Sequence, residues 1–223
     1  NLGTQGILEE ALKCYRNGDI ACAISYYNQL SDGSLKSRQL CTAYMYKAGM
    51  GLSQLVSTTQ KSTGMFGSLA NELVPWNSTK GADAASALTN CSNYATAESG
   101  GANERESVLF KALSVFLDCA MKMAKSDLTN QNGAAGSCDH TADGATSGNG
   151  VITKEDIDSA GNDGDLTGNQ GMCDADATSC TTNLSTVSTD LTNAGFTNFN
   201  NIPTGLAAAA NATASRLAII NDF

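Results

Sequence analysis

The sequence predicts a mainly α-helical protein: an irregular helical domain with a long, disulfide-braced polar loop region. Three observations lead to that class. Apolar residues recur at spacings of three and four in several stretches, which is the period of a helix with one buried face. Eight cysteines are scattered along the chain. A polar stretch from about residue 129 to residue 178 holds almost no large apolar side chains.

The segment from residue 6 to residue 30 predicts a helical hairpin. Asn17-Gly18-Asp19 separates two helical stripes of apolar residues. Gly18 tolerates the left-handed backbone that ends a helix, and Asp19 is suited to cap the next one. The two stripes contain Ile7, Leu8, Ala11 and Leu12, then Ile20, Ala23, Ile24, Tyr27 and Leu30.

This hairpin resembles a tetratricopeptide repeat (TPR) over residues 5–38. The match consists of a small residue on the first helix (Ala11), the turn glycine Gly18, and Ala23 followed by the aromatic Tyr27 on the second helix. The resemblance implies a concave surface of helix faces that binds a peptide or protein.

Tyrosines cluster in the predicted N-terminal helices. Tyr15, Tyr27 and Tyr44 are therefore candidate partner-binding residues in a TPR-like groove. Packing in and around the core is the other interpretation of the same side chains.

Three further helices are predicted before the polar stretch. The first lies within residues 34–56 and has Cys41, Tyr44 and Ala48 on one face. A short one runs from about Ser68 to Val74, before Pro75. The strongest helical pattern follows from Asn103 onwards, where Glu106 stands three residues later in the arrangement of a capping box. Its wide apolar stripe indicates a central helix that is covered on two sides.

The chain divides into three parts. Residues 1–128 are predicted as a helical domain, residues 129–178 as an acidic insertion rich in Gly, Asn and Asp, and residues 179–223 as C-terminal helices packing on the first part in one compact unit. The insertion cannot bury enough apolar area to offset its ordering entropy. Disulfides, bound cations or another subunit must therefore hold it.

The cysteines point to an oxidising compartment. Their even number without CxxC spacing favours disulfides over a zinc site, and reduced, partly buried thiols are the alternative. The candidates are Cys14, Cys22, Cys41, Cys91, Cys119, Cys138, Cys173 and Cys180.

Eight cysteines allow many connectivities, so only short sequence distances guide the pairing. Local closure favours Cys173 with Cys180, and Cys119 with Cys138 would tie the central helix to the polar segment. Three cysteines lie in the first helices: Cys14, Cys22 and Cys41. One disulfide is expected between two of them, and Cys91 is then expected to pair with the third.

The acidic stretch within the insertion is a candidate calcium site. Calcium prefers several oxygen ligands on flexible backbone, so Ca²⁺ is the cofactor that this stretch would take. The spacing does not fit an EF-hand, and a site would be non-standard, with Asp158, Asn162, Asp163 and Asp165 as ligands. A solvated acidic loop without an ion is the alternative interpretation.

Catalytic signatures are absent from the sequence. It contains no GxSxG, HExxH, P-loop or dinucleotide glycine motif. The single histidine, His140, has Cys138 and Asp139 nearby, and a surface-loop position explains it better than a Cys–His pair. We therefore expect that the protein is not an enzyme.

Charge and hydropathy exclude further classes. The net charge is −9 and the 13 basic residues form no cluster, which argues against nucleic-acid binding. No apolar run is long enough to span a membrane. The sequence begins at Asn1 without methionine, as after removal of a signal peptide. We expect an extracellular or cell-surface location, with the periplasm as the alternative.

Only 16 % of the residues are charged, and Thr, Ser, Asn, Gly and Ala supply much of the rest. Such a surface packs against another subunit without burying ions. We therefore expect an exported, non-enzymatic structural protein, a filament or layer subunit that assembles with copies of itself. A monomeric periplasmic or surface TPR-like adaptor for a peptide or protein is the main alternative. A helical coat glycoprotein of a parasite surface is a further one. It is compatible with the four Asn-x-Ser/Thr sequons, whose number is about what chance gives in a chain this rich in Asn, Ser and Thr.

Overall fold

The structure is a computed structural model that describes residues 2–51, 65–73, 76–126, 172 and 174–196. All regular secondary structure in these ranges is helical, which confirms the predicted class. The helices are α1 (Thr4–Arg16), α2 (Ile20–Tyr27), α3 (Ser34–Lys47), α4 (Met65–Leu73), α5 (Ser78–Ala97), α6 (Glu104–Lys125) and α7 (Asp174–Asn193). No helix in this part of the chain is both long enough and apolar enough to cross a membrane.

The predicted hairpin is formed by α1 and α2. Gly18 has a φ of +76°, a left-handed conformation that glycine adopts without strain. The Asp19 carboxylate accepts a hydrogen bond of 2.9 Å from the Cys22 backbone N–H and so caps α2. Both predictions about the turn are confirmed. They could be made from the sequence because the conformation of Gly18 and the Asp19 cap depend only on neighbouring residues.

A small hydrophobic cluster, here called the hairpin core, fills the space between α1, α2 and one side of α3. It consists of Ile7, Ala11, Cys14, Ile20, Ala23, Ile24, Tyr27, Leu30, Leu40 and Ala43. The other side of α3 contributes Cys41, Met45 and Ala48 to a larger cluster, the main core. The two cores therefore share α3 as a common wall.

The main core is built around α6, which packs against α3, α4, α5 and α7. Most of α6 is buried, including Phe116 and Leu117 at 0 % exposure. Coverage of this helix on several sides confirms the expectation from its wide apolar stripe. On α7, the apolar residues Leu184, Val187 and Leu191, spaced by three and four, are buried in the main core that α7 shares with α6.

The capping box predicted at the start of α6 is wrong. The Asn103 side chain makes no cap hydrogen bond; its amide donates to the Glu98 carboxylate at 3.1 Å. Glu106 Oε1 lies 2.7 Å from Arg38 Nε on α3. A hydrogen bond from the Ser34 hydroxyl is the main reason that the pKa of Glu98 lies below its ordinary value. Asn103 and Glu106 therefore bind side chains outside α6 in place of the capping-box hydrogen bonds.

Three disulfide bonds lie within the described residues: Cys14–Cys22 in the hairpin, Cys41–Cys91 between α3 and α5, and Cys119–Cys180 between α6 and α7. The first two follow the arrangement expected for the N-terminal cysteines.

The pairings predicted for the second half of the chain are wrong. Cys119 does not pair with Cys138, and Cys180 does not pair with Cys173, because Cys119 and Cys180 are bonded to each other. Their Cα atoms lie 5.0 Å apart, since α6 and α7 pack side by side. Cys138 and Cys173 themselves lie outside the described residues.

Candidate functional site

The predicted calcium ligands Asp158, Asn162, Asp163 and Asp165 lie outside the described residues, as does His140. The calcium hypothesis therefore stays a prediction. Where the structure describes the chain, no group of three or more His, Cys, Asp or Glu side chains is placed to hold a metal ion.

The exposed large apolar side chains of the described residues belong to the N-terminal part of the chain. Large hydrophobic residues with more than about a third of their surface in water all belong to α1, α3 or the residue pair before α1. They are Leu2, Leu12, Leu35 and Tyr46. The described parts of α4 to α7 contribute none, so the exposed sides of α1 and α3 are the candidate interaction surface.

Three tyrosine rings run from the hairpin core to the solvent. The Tyr15 ring centroid lies 6.4 Å from that of Tyr27 and 6.0 Å from that of Tyr46. Tyr27 is buried, Tyr15 is half-buried and Tyr46 is 53 % exposed. Such tilted ring pairs add to the stability given by burial alone.

Of the predicted partner-binding residues, the structure brings Tyr15 and Tyr27 together and places Tyr44 elsewhere. Tyr44 is half-buried and packs against both cores. Tyr46, which was not among the predicted residues, completes the ring cluster. Its place beside Tyr15 is hard to predict, because Tyr46 follows Tyr44 by two positions and residues two apart on a helix lie on different faces.

Leu12 connects the ring cluster to the outer surface of α1. Leu8, Leu12 and Tyr15 are spaced by four and three residues, so they lie on one face of the helix. Leu12 is 47 % exposed, whereas Leu8 and Tyr15 are half-buried. We call the strip of Leu8, Leu12 and Tyr15, extended by Tyr46 of α3, the α1 face. It borders solvent because α1 packs mainly against α2.

The tyrosine cluster makes a pH prediction. Burial first, then the neighbouring Tyr27 and Tyr46, raises the pKa of Tyr15 to about 12 from an ordinary value of 10.0. Folding thus favours the neutral phenol, and this stability is complete below about pH 10 and is lost as the pH rises to about 12. Phenylalanine has no group that ionises. The melting temperature of Tyr15→Phe should therefore fall less than that of the wild type between these pH values.

Tyr46→Phe is the matched control, since Tyr46 is exposed. Its alkaline loss of melting temperature should stay closer to that of the wild type than the loss in Tyr15→Phe does, because Tyr46 is the smallest of the three causes that raise the pKa of Tyr15. An equal alkaline loss in the wild type and in Tyr15→Phe would contradict the burial of the Tyr15 hydroxyl.

A cleft of about 220 Å³ lies beside Trp76 at the C-terminal end of α6. Its charged groups are already paired: Lys122 Nζ lies 2.6 Å from Asp118 Oδ2, and Lys125 Nζ lies 3.3 Å from Asp176 Oδ2. Lys125 also stands 5.7 Å from the centre of the Trp76 ring. The Lys125 contacts join α6 to α7 and to the residue pair before α5, so we assign the cleft a structural role.

A second cleft, of about 330 Å³, lies between α3 and α5. Polar side chains line it, and Lys36 Nζ lies 2.9 Å from Asp32 Oδ1 at its rim. Neither cleft brings together a nucleophile and a base. The α1 face remains the strongest candidate site in the described structure.

No protein-family model matches this sequence, and comparisons with curated proteins and with solved structures likewise find no match. The TPR resemblance of the hairpin is accordingly not accompanied by a family assignment. What the structure supports is the broader statement that the chain forms packed helices.

Proposed function

We propose that this chain is an exported, non-enzymatic structural subunit that assembles with copies of itself at the cell surface or outside the cell. The observation that carries the proposal is that the exposed large apolar side chains of the described residues belong to α1, to α3 and to the residues just before α1. Among them, Leu12 lies on the same helix face as Tyr15, and the Tyr46 ring contacts the Tyr15 ring, and exposed apolar side chains grouped in this way mark a place where another molecule packs.

The covalent structure supports an extracellular setting for this assembly. Three disulfides link helices within the described residues, and such bonds persist in oxidising compartments. Two of them join separate parts of the main core. A subunit braced in this way keeps its shape when it is exposed to the environment.

The low charge density supports packing between copies. Only 16 % of the residues are charged. Several lysines are already paired with aspartates across helices, as Lys111 is with Asp190 at 2.6 Å. A surface with a low density of charged groups loses less solvation energy when a second molecule covers it.

Sedimentation velocity over a wide concentration range tests the proposal. We expect the average mass to rise with protein concentration above that of one 23.0 kDa chain. Parallel runs with calcium and with a chelator test whether the acidic stretch binds Ca²⁺ and aids assembly. A single monomeric species at every concentration, with and without calcium, would exclude self-assembly.

The tyrosine cluster favours a second candidate function, a TPR-like adaptor that binds a peptide or protein. Tyr15 and Tyr46 present an aromatic surface of the kind that recurs in recognition sites. A monomeric protein whose Tyr15→Ala and Tyr46→Ala variants keep their helical spectrum but lose a bound peptide would support the adaptor over the subunit.

A further inference from the structure

We infer that two copies of this chain associate through their α1 helices, packed antiparallel about a two-fold axis that passes beside Leu12. This inference rests on the proposed function and specifies the first contact of the assembly. Two features of α1 carry it: an exposed apolar strip and a self-complementary pair of charges next to that strip.

The apolar strip is the α1 face defined above. Leu12 lies at its centre, 47 % exposed, with Leu8 one turn before it and Tyr15 one turn after it. Tyr46 of α3, 53 % exposed, widens the strip beside Tyr15. Leucine and tyrosine at this spacing form the apolar seam of a helix that packs against another helix.

The charges are Glu9 and Arg16, three residues before Leu12 and four residues after it. At 100° per residue they lie about 20° apart around the helix, on the same edge of the apolar strip. Both are exposed, and among the described residues neither forms an ion pair. The other two charges on this stretch, Glu10 and Lys13, are paired with each other at 2.5 Å.

The direction of packing follows from these positions. A two-fold axis beside Leu12 brings the same edge of both helices together with the chain direction reversed. Glu9 of each copy then faces Arg16 of the other, and the two leucines meet at the axis. Parallel packing about a two-fold axis would instead place the charged edges on opposite sides of the seam, so Glu9 and Arg16 of the two copies would not meet.

Association through α1 is also compatible with the way in which α1 packs within one copy. Within the described structure α1 packs mainly against α2. Leu8 and Tyr15 lie against the hairpin core, and Leu12 is the member of the α1 face on this helix that stays exposed. A second α1 would cover Leu12 without displacing any residue of the hairpin core. The contact is isologous, so it closes at a dimer and leaves the rest of each surface for further contacts.

The test uses sedimentation velocity of the full chain at graded concentrations. Leu12→Glu places a charge at the axis, and we expect its self-association to be weaker by a factor of a hundred or more, as an order of magnitude. Leu35→Glu is the matched control. Leu35 is also exposed, at 39 %, but it lies eleven residues before Tyr46 on α3, about 16 Å along the helix.

Charge swaps test the direction of packing. Arg16→Glu alone places glutamates opposite each other and should weaken association roughly ten-fold at low salt. The double variant Glu9→Arg/Arg16→Glu restores both pairs in reversed order and should recover most of the affinity. In 1 M NaCl the difference between the two variants should shrink, because salt screens exposed charges.

The outcomes separate this inference from the proposed function. If the wild type associates and Leu12→Glu associates equally well, the α1 interface is wrong while self-assembly stands. If the wild type is monomeric at every concentration, both the α1 interface and the proposed self-assembly are wrong. Equal weakening by Leu12→Glu and Leu35→Glu overturns the α1 interface, and failure of the double variant to recover overturns the antiparallel arrangement. Circular dichroism of every variant verifies that the helices are intact.

Discussion

Replacing both Cys119 and Cys180 by alanine is expected to lower the free energy of unfolding by about 4 kcal/mol. The bond joins α6 to α7 across a sequence separation of 61 residues. Without it, the unfolded chain gains the conformational entropy of that long loop, while the folded chain keeps its packing. Urea denaturation followed by circular dichroism measures the loss.

The Cys14–Cys22 bond provides the comparison, since it closes a separation of only 8 residues. The Cys14→Ala/Cys22→Ala variant should lose about 2–3 kcal/mol, less than the long-range pair. Equal losses for the two double variants would contradict the explanation by loop entropy.

The ion pair between α3 and α5 should respond unequally to loss of its two members. Lys47 Nζ lies 2.9 Å from Asp83 Oδ1, and the side chain of Asp83 is only 8 % exposed against 33 % for Lys47. Lys47→Met leaves a buried carboxylate without its positive partner, which should cost about 3 kcal/mol. Asp83→Asn leaves an ammonium group that still reaches water, so about 1 kcal/mol is expected.

Urea denaturation of both variants measures this asymmetry. Lys13→Met is the control, because its pair with Glu10 is exposed and should leave the free energy of unfolding unchanged within error. A larger loss in Asp83→Asn than in Lys47→Met would show that burial of the carboxylate does not govern the pair.

Local features of the fold were predictable from the sequence. The hairpin turn depends on Gly18 and Asp19, whose backbone conformation and capping need no distant partner. The capping box predicted at Asn103 does not form, because its two residues bind distant partners. Asn103 donates to Glu98, and Glu106 pairs with Arg38. Helix starts also shifted: α4 begins at Met65 rather than near Ser68.

The disulfide pairing was not predictable because it depends on how distant helices pack. Sequence distance favoured Cys173 for Cys180, whereas the side-by-side packing of α6 and α7 brings Cys119 to it. Nothing in the residues around either cysteine reports that neighbour.

The candidate site was only partly predictable, and α1 and α6 explain why. Both helices carry an apolar stripe, and periodicity alone indicates burial for each. In α6 several neighbours cover the stripe, so Leu117 is buried. In α1 the covered sector is narrower, and Leu12 at its edge reaches the solvent. The number of neighbours around a helix is a property of the whole fold.

The shared position of α3 has a mechanical consequence. Tension that enters an assembly through α1 passes from the hairpin to the rest of the subunit across α3, which is common to both cores. Cys41 on that helix is bonded to Cys91 of α5, so a covalent tie lies on the route by which load is carried. Since the Cys14–Cys22 bond also holds α1 to α2, rupture under pulling force should begin at the contact between the hairpin and α3, which none of the three disulfides crosses.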